Sequence, residues 1–176
     1  GIEAHLVLGP VGHAVYACAR REERLRGVVR GLPGAVARRC DVSQEADVAA
    51  FAAWVRTQAD GVDALVNCAG SFGAIGPALE TDSGAWLRTL ETNLFGTYLM
   101  VKHVVPLMTG ERPRIVNFSG GGAFGPFPNY SAYAVSKAGV VRLTEILAVE
   151  LAPRRIAVNA VAPGFVATEI HEATLR

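Results

Sequence analysis

Tyr133 and Lys137 stand four residues apart in Ser131-Ala-Tyr-Ala-Val-Ser-Lys-Ala-Gly139, a stretch whose flanking residues read as helix. On a helix, that spacing brings both side chains onto one face. A free phenol, with a pKa of about 10, is a poor base at neutral pH. A neighbouring ammonium favours the phenolate. The pair could then exchange a proton with a carbonyl or alcohol oxygen. Surface helices carry the same spacing without any such role, so the pair has to be judged by its surroundings. Tyr130 has Ala134 at the same spacing and lacks the partner.

Short β-rich runs alternate with longer helical patterns. Strands are expected at His13–Cys18, Ala35–Asp41, Val62–Ala69, Arg114–Ser119 and Ile156–Ala162. Helices are expected at Arg21–Arg30, Ser43–Asp60, Ser83–Met108 and Ser131–Leu151, with Ser43 as N-cap and Gly61 as C-terminal stop of the second. Runs such as Ala64-Leu-Val66 are apolar on both faces, which suits a buried parallel sheet. The alternation predicts one α/β domain with a doubly wound, mostly parallel, Rossmann-like sheet and helices on both faces.

Ligands of such sheets bind outside the carboxyl ends of the strands. Asn67-Cys-Ala-Gly70 closes the third expected strand, and its small residues would let a cofactor approach the backbone. Asn159-Ala-Val-Ala-Pro-Gly164 closes the fifth and leads to Thr168. Each alone could be an ordinary turn. Together with the Tyr/Lys pair they point to cofactor-dependent chemistry.

Composition narrows the field. The chain has 176 residues, 17 basic and 16 acidic, for a net charge of +1. No positive field points to nucleic acid, and no apolar run suits a membrane span. The three cysteines, Cys18, Cys40 and Cys68, read as small core residues in a reducing compartment, and a cytoplasmic protein is expected. The four histidines, His5, His13, His103 and His171, show no metal-ligand spacing, and no metal site is expected.

From about Gly1 to Thr168 the sequence resembles the short-chain dehydrogenase/reductase family in its shorter single-domain form. The family's Tyr-x-x-x-Lys falls on Tyr133 and Lys137, and its Asn-Asn-Ala-Gly on Asn67-Cys68-Ala69-Gly70, with Cys at the second position. Its helical Asn falls on Asn93, its adenine-contacting Asp on Asp41 beside Val42, and its Pro-Gly turn on Pro163 and Gly164, followed by Val166 and Thr168. The resemblance implies Tyr133 as general acid/base and Lys137 lowering its pKa while holding the nicotinamide ribose. It implies that Asn93 helps to hold a proton-relaying water and that a serine bonds the substrate oxygen. It also implies a small carbonyl or alcohol substrate, and a homodimer or homotetramer through the Ser83–Met108 and Ser131–Leu151 helices.

Two departures stand out. The family's catalytic serine lies thirteen residues before the tyrosine, where this chain has Gly120. Ser119 is the candidate replacement, swung inward by Gly120-Gly-Gly122; the alternative is a serine satisfying backbone groups at the strand end, and Ser131 is a more distant candidate. At the other end, Gly1, with Ile2 beside it, reads as the last glycine of the phosphate-cradling turn. The first strand would then lie outside this sequence, which is read as part of a longer protein. That strand belongs between the His13–Cys18 and Val62–Ala69 strands, so this stretch alone is expected to fold poorly. Pro10 would kink the helix pattern that opens the chain.

No acid stands at Ala19 to bind NAD ribose hydroxyls, and Arg20 and Arg21 offer forked donors for a phosphate. The expected cofactor is NADP rather than NAD; the other reading is a pair of solvated arginines. The expected function is an oxidoreductase moving a hydride between NADP(H) and a carbonyl/alcohol pair. The competing readings are a non-catalytic nucleotide-binding regulator or subunit, and a longer epimerase or dehydratase, which the Asn67–Gly70 and Pro163–Gly164 motifs fit less well.

Overall fold

A computed structural model describes residues 14–164. Gly1, Ile2, Val166 and Thr168, and the helix pattern containing Pro10, lie outside the described residues.

Strands β1 (Val15–Ala19) and β2 (Ala35–Arg39) pair in parallel. Strands β3 (Ala64–Asn67), β4 (Arg114–Phe118) and β5 (Ala157–Val161) form a second parallel sheet in that order. No pairing joins β1 to β3 among the described residues. Strands β2 to β5 end one or two residues before the apolar runs do, while β1 runs one residue past its expected end at Cys18. Hydrogen-bonded pairing stops before the turn residues that extend those runs.

Alternation sends the two faces of β1 to different cores. Ala17 and Ala19 pack with Leu25 and Val29 of helix α1 (Glu22–Val29). Cys18 faces the larger core with Cys40, Val48, Phe51, Leu65, Leu99 and Ile115, which spans both sheets. Helices α2 (Glu45–Gln58), α4 (Gly96–Val104) and α5 (Ser131–Glu150) cover that face, so helices lie on both faces of the β1–β2 sheet. This is the expected Rossmann-like α/β arrangement. No helix among the described residues is long and apolar enough to cross a membrane.

Three local expectations need correction. The N-cap of α2 is Gln44, not Ser43. The Ser43 amide and hydroxyl both donate to Asp41 Oδ1, at 3.0 and 2.7 Å, so an Asx turn uses the serine that would have capped. The helix ends at its C-cap Ala59, two residues before Gly61. Ser83–Met108 is not one helix. It runs as α3 (Ser83–Leu90), a π-helical turn (Glu91–Phe95), α4 and a 3-10 turn (Val105–Leu107) containing Pro106. Asp82, the residue before, accepts from the Ala85 amide at 2.7 Å and caps α3.

The π turn aligns Thr89, Asn93 and Thr97 as a buried polar stripe. Its close packing depends on Gly96, where an added Cβ would lie 2.7 Å from Val42 Cγ2 and 3.2 Å from the Val42 carbonyl oxygen. Alanine at this helical position gains about 1 kcal/mol of propensity. Overpacking against a stiff β-branched side chain and a backbone oxygen costs about 1–3 kcal/mol. We therefore expect Gly96→Ala in the full-length protein to lower the thermal midpoint by a few degrees. A raised midpoint would show that α4 does not pack this closely.

Candidate active site at the strand tips

All five strands run in parallel within their sheets, so the turns that carry the candidate residues follow their carboxyl ends. Three polar side chains brace the β3–β4 end. Asn67 and Asn117 are opposite each other in register, and Asn67 Nδ2 donates to Asn117 Oδ1 at 2.8 Å. Asn117 Nδ2 donates to Thr144 Oγ1 at 2.9 Å, and Thr144 donates to the Val140 carbonyl at 2.7 Å. This buried chain ties β3, β4 and α5 together. The amide oxygen of Asn67 is buried without a hydrogen-bond partner.

Helix α5 presents Ala132, Tyr133, Ser136, Lys137, Val140, Thr144 and Leu147 on its buried face. Tyr133 and Lys137 thus share one face, at 8% and 4% exposure. Lys137 Nζ donates to the Phe118 carbonyl at 2.8 Å and lies 5.8 Å from the Tyr133 ring centroid. Burial pushes the Lys137 amine down to about 8. Burial also pushes the Tyr133 phenol above its ordinary value. The expected lowering of the phenol by Lys137 is therefore not seen here. The ammonium is anchored on the Phe118 carbonyl, over the Tyr133 ring.

The turn glycines lie against these two groups. A Cβ at Gly70 would come within 3.1 Å of Lys137 Nζ and 3.4 Å of Asn93 Oδ1. A Cβ at Gly120 would overlap the Tyr133 hydroxyl. Gly120, not Ser119, thus abuts the phenol. Ser119 is buried, and its hydroxyl donates to the Lys137 carbonyl at 3.0 Å. The Ser119 hydroxyl points into α5 rather than making the expected swing toward the phenol, held by that hydrogen bond to the helix backbone. Ser131 accepts from Trp86 Nε1 at 3.1 Å at the start of α5.

Asn93 is fully buried on the π turn. Its Oδ1 accepts from the Ser71 amide at 2.9 Å, while Nδ2 donates to the Ser71 carbonyl and to Ser136 Oγ, both at 2.9 Å. Its side chain clamps the loop after β3 beside Lys137, and its polar atoms are occupied by protein.

At the β1–β2 end, Arg20 and Arg21 are exposed just beyond buried Ala19. Asp41 is committed to its turn with Ser43, and its amide donates to Asp47 Oδ2 at 3.0 Å. The Val42 side chain is buried against Gly96. Ala69 is buried beside Asn67, and Pro163 and Gly164 follow β5 at the same strand ends as Gly70 and Ser119. Sequence reasoning missed Ser71, Ser136, Asn117 and Thr144. An asparagine in the apolar run Ile115-Val-Asn-Phe118 was the one available signal for the last two.

A cavity of about 530 Å³, lined by Gly122, Phe127, Ser131, Ala134, Val135 and Ala138 among others, adjoins the α5 start. Tyr133 does not line it, so it is not where the proton chemistry would occur.

The family model for short chain dehydrogenase matches residues 1–176. A putative ketoacyl reductase of the granaticin polyketide synthase from Streptomyces violaceoruber is 38% identical over 172 residues, covering 94% of this chain and 63% of the relative. The chain thus spans under two thirds of that relative's length. A solved gluconate 5-dehydrogenase from Burkholderia cenocepacia, in complex with NADP and tartrate, superposes with a TM-score of 0.85 at 25% identity, covering 93% of this chain and 66% of the other. An actinorhodin polyketide ketoreductase with NADPH does so with a TM-score of 0.83 at 34% identity, covering 90% of this chain and 63% of the other. With parallel strands, glycine turns at their tips and a family match along its whole length, this chain belongs to the short-chain dehydrogenase family.

Proposed function

We propose that the chain carries the catalytic centre of an oxidoreductase that moves a hydride between NADP(H) and a carbonyl/alcohol pair. Tyr133 is the general acid/base and Lys137 assists it. The observation that carries this reading is the shared buried face of Tyr133 and Lys137, with Gly120 and Gly70 packed against their polar ends.

The residues present fit a dinucleotide. Gly70 leaves a cradle beside Lys137 and Asn93 that a side chain would fill, and the Asn67 amide oxygen lacks a donor. Arg20 and Arg21 suit a ribose phosphate, and no acid stands at Ala19 to repel it. Both solved relatives described above carry NADP or NADPH. When bound, the cofactor supplies or accepts the hydride. In reduction Tyr133 gives its phenol proton to the carbonyl oxygen, and in oxidation it takes that proton back. When protonated, Lys137 places a positive charge over the Tyr133 ring, which opposes the upward push of burial on the phenol without overcoming it here. Asn93 holds the Ser71 loop that bounds the site.

Self-association through α3, α4 and α5 belongs to the same reading. These elements and the π turn expose Leu87, Phe95, Tyr98, Ile146 and Val149.

Gly120 stands where the family has its serine, and the Ser119 hydroxyl is turned into the helix, so the work falls chiefly on Tyr133. Tyr133→Phe in the full-length protein should therefore lower carbonyl reduction by about 10²–10⁴-fold while sparing cofactor binding. Ser119→Ala should cost less than about tenfold, the scale of one backbone hydrogen bond. Turnover surviving Tyr133→Phe would refute the role of Tyr133. Absence of turnover in the unaltered protein with bound NADPH would favour a non-catalytic nucleotide-binding subunit, the reading that the loss of the serine supports.

Ala19→Asp places a carboxylate where the phosphate would sit. It should shift the NADP:NAD ratio of kcat/KM toward NAD by at least about tenfold. An unchanged ratio would show that the phosphate lies elsewhere.

A further inference from the structure

Two loops flank Tyr133: 71–79, after β3, and 120–131, leading into α5. Neither contains a single charged residue. They are tied together, since the Gly76 amide donates to the Asn129 carbonyl at 2.8 Å. Their aromatic rings close around the Tyr133 ring. Phe72 meets it edge-on at 4.8 Å between centroids and meets Tyr130 at 5.2 Å. Phe127 stacks on Tyr130 at 4.6 Å and lies 6.3 Å from Tyr133.

The apolar character continues outward. Ile75 and Leu79 on one loop and Phe124 and Phe127 on the other are exposed, Phe124 at 72% and Phe127 at 39%. The cation one turn along α5, Lys137, is buried and donates to Phe118, so it offers nothing to a substrate anion at the mouth. The first charges beyond loop 71–79 are Glu80 and Asp82, both acidic.

We propose that this site takes a neutral carbonyl compound carrying an aryl or similarly bulky apolar group next to the carbonyl, and that it discriminates against carboxylate-bearing substrates. The inference rests on Tyr133 acting on that carbonyl. Flat rings beside Phe72 and Phe127 gain stacking and edge-to-face contact beyond simple burial. A carboxylate entering between the loops sheds water and finds no cation among the described residues of either loop.

The test is reduction by the full-length protein with NADPH of three probes: acetophenone, 4-acetylbenzoate and 2-butanone. We expect kcat/KM for acetophenone to exceed that for 4-acetylbenzoate by at least about tenfold, because the anion is desolvated without a partner. Phe127→Ala should lower kcat/KM for acetophenone by about five- to tenfold more than for 2-butanone, since the lost contact is with the aryl ring. Phe124→Arg, at a position exposed enough to tolerate it, should raise the 4-acetylbenzoate to acetophenone ratio by about tenfold. Equal or preferred turnover of 4-acetylbenzoate by the unaltered protein would overturn the inference and leave Tyr133 untouched. So would equal losses on both ketones in Phe127→Ala. No turnover of any ketone would overturn both readings.

Discussion

The site depends on an amine held almost out of water. Lys137 is buried on α5, and among the described residues its amine donates one hydrogen bond, to the Phe118 carbonyl at the end of β4. A buried ammonium with so little compensation cannot keep its ordinary pKa, and burial pushes it down to about 8. Its charge is therefore sensitive to what surrounds it. Anything that adds an acceptor near Gly70 would restore the charge, and so strengthen the field on the neighbouring phenol.

Holding that amine in place requires a stiff frame, and the buried polar groups supply it. The Asn67–Asn117–Thr144 chain locks α5 to the strands, and Ser119 holds the α5 carbonyl at Lys137 itself. Asn93 locks the loop on the other side of Gly70 through Ser71 and reaches α5 through Ser136. Each buried donor or acceptor left unpaired would cost about 1–3 kcal/mol, so these contacts resist local rearrangement. The frame sets the geometry, and the aromatic loops around Tyr133 set what can approach it.

Much of this could be read from residues alone. The i, i+4 spacing of Tyr133 and Lys137 fixed their shared face, and the alternation of strands and helices gave the parallel order. Other features could not be read, for physical reasons. A 3.6-residue period does not reveal a π turn, so Asn93 was placed on a continuous helix. Ser43 could cap a helix or close an Asx turn, and only the position of Asp41 decides between them. Whether Ser119 faces the phenol or the helix depends on a backbone carbonyl eighteen residues away. The direction of the Tyr133 shift follows from burial of the phenol, and sequence spacing does not specify that.

The most direct measurement is a proton titration of the Lys137 amine by nuclear magnetic resonance, with the side-chain carbon next to nitrogen labelled in lysine. Residues 1–176 hold two lysines, Lys102 and Lys137, and a Lys137→Met sample assigns the second. The amine of Lys102, paired with Glu45 at 2.6 Å, should titrate above its ordinary value. Lys137 should titrate near 8, below its ordinary value, losing its charge as pH rises through that point. Between that value and the ordinary lysine range, the unfolded chain holds a proton that the folded one lacks, so folding stability should rise with pH across the window. A Lys137 amine that stays charged to about 10.4, the pKa of a solvated lysine, would contradict the account.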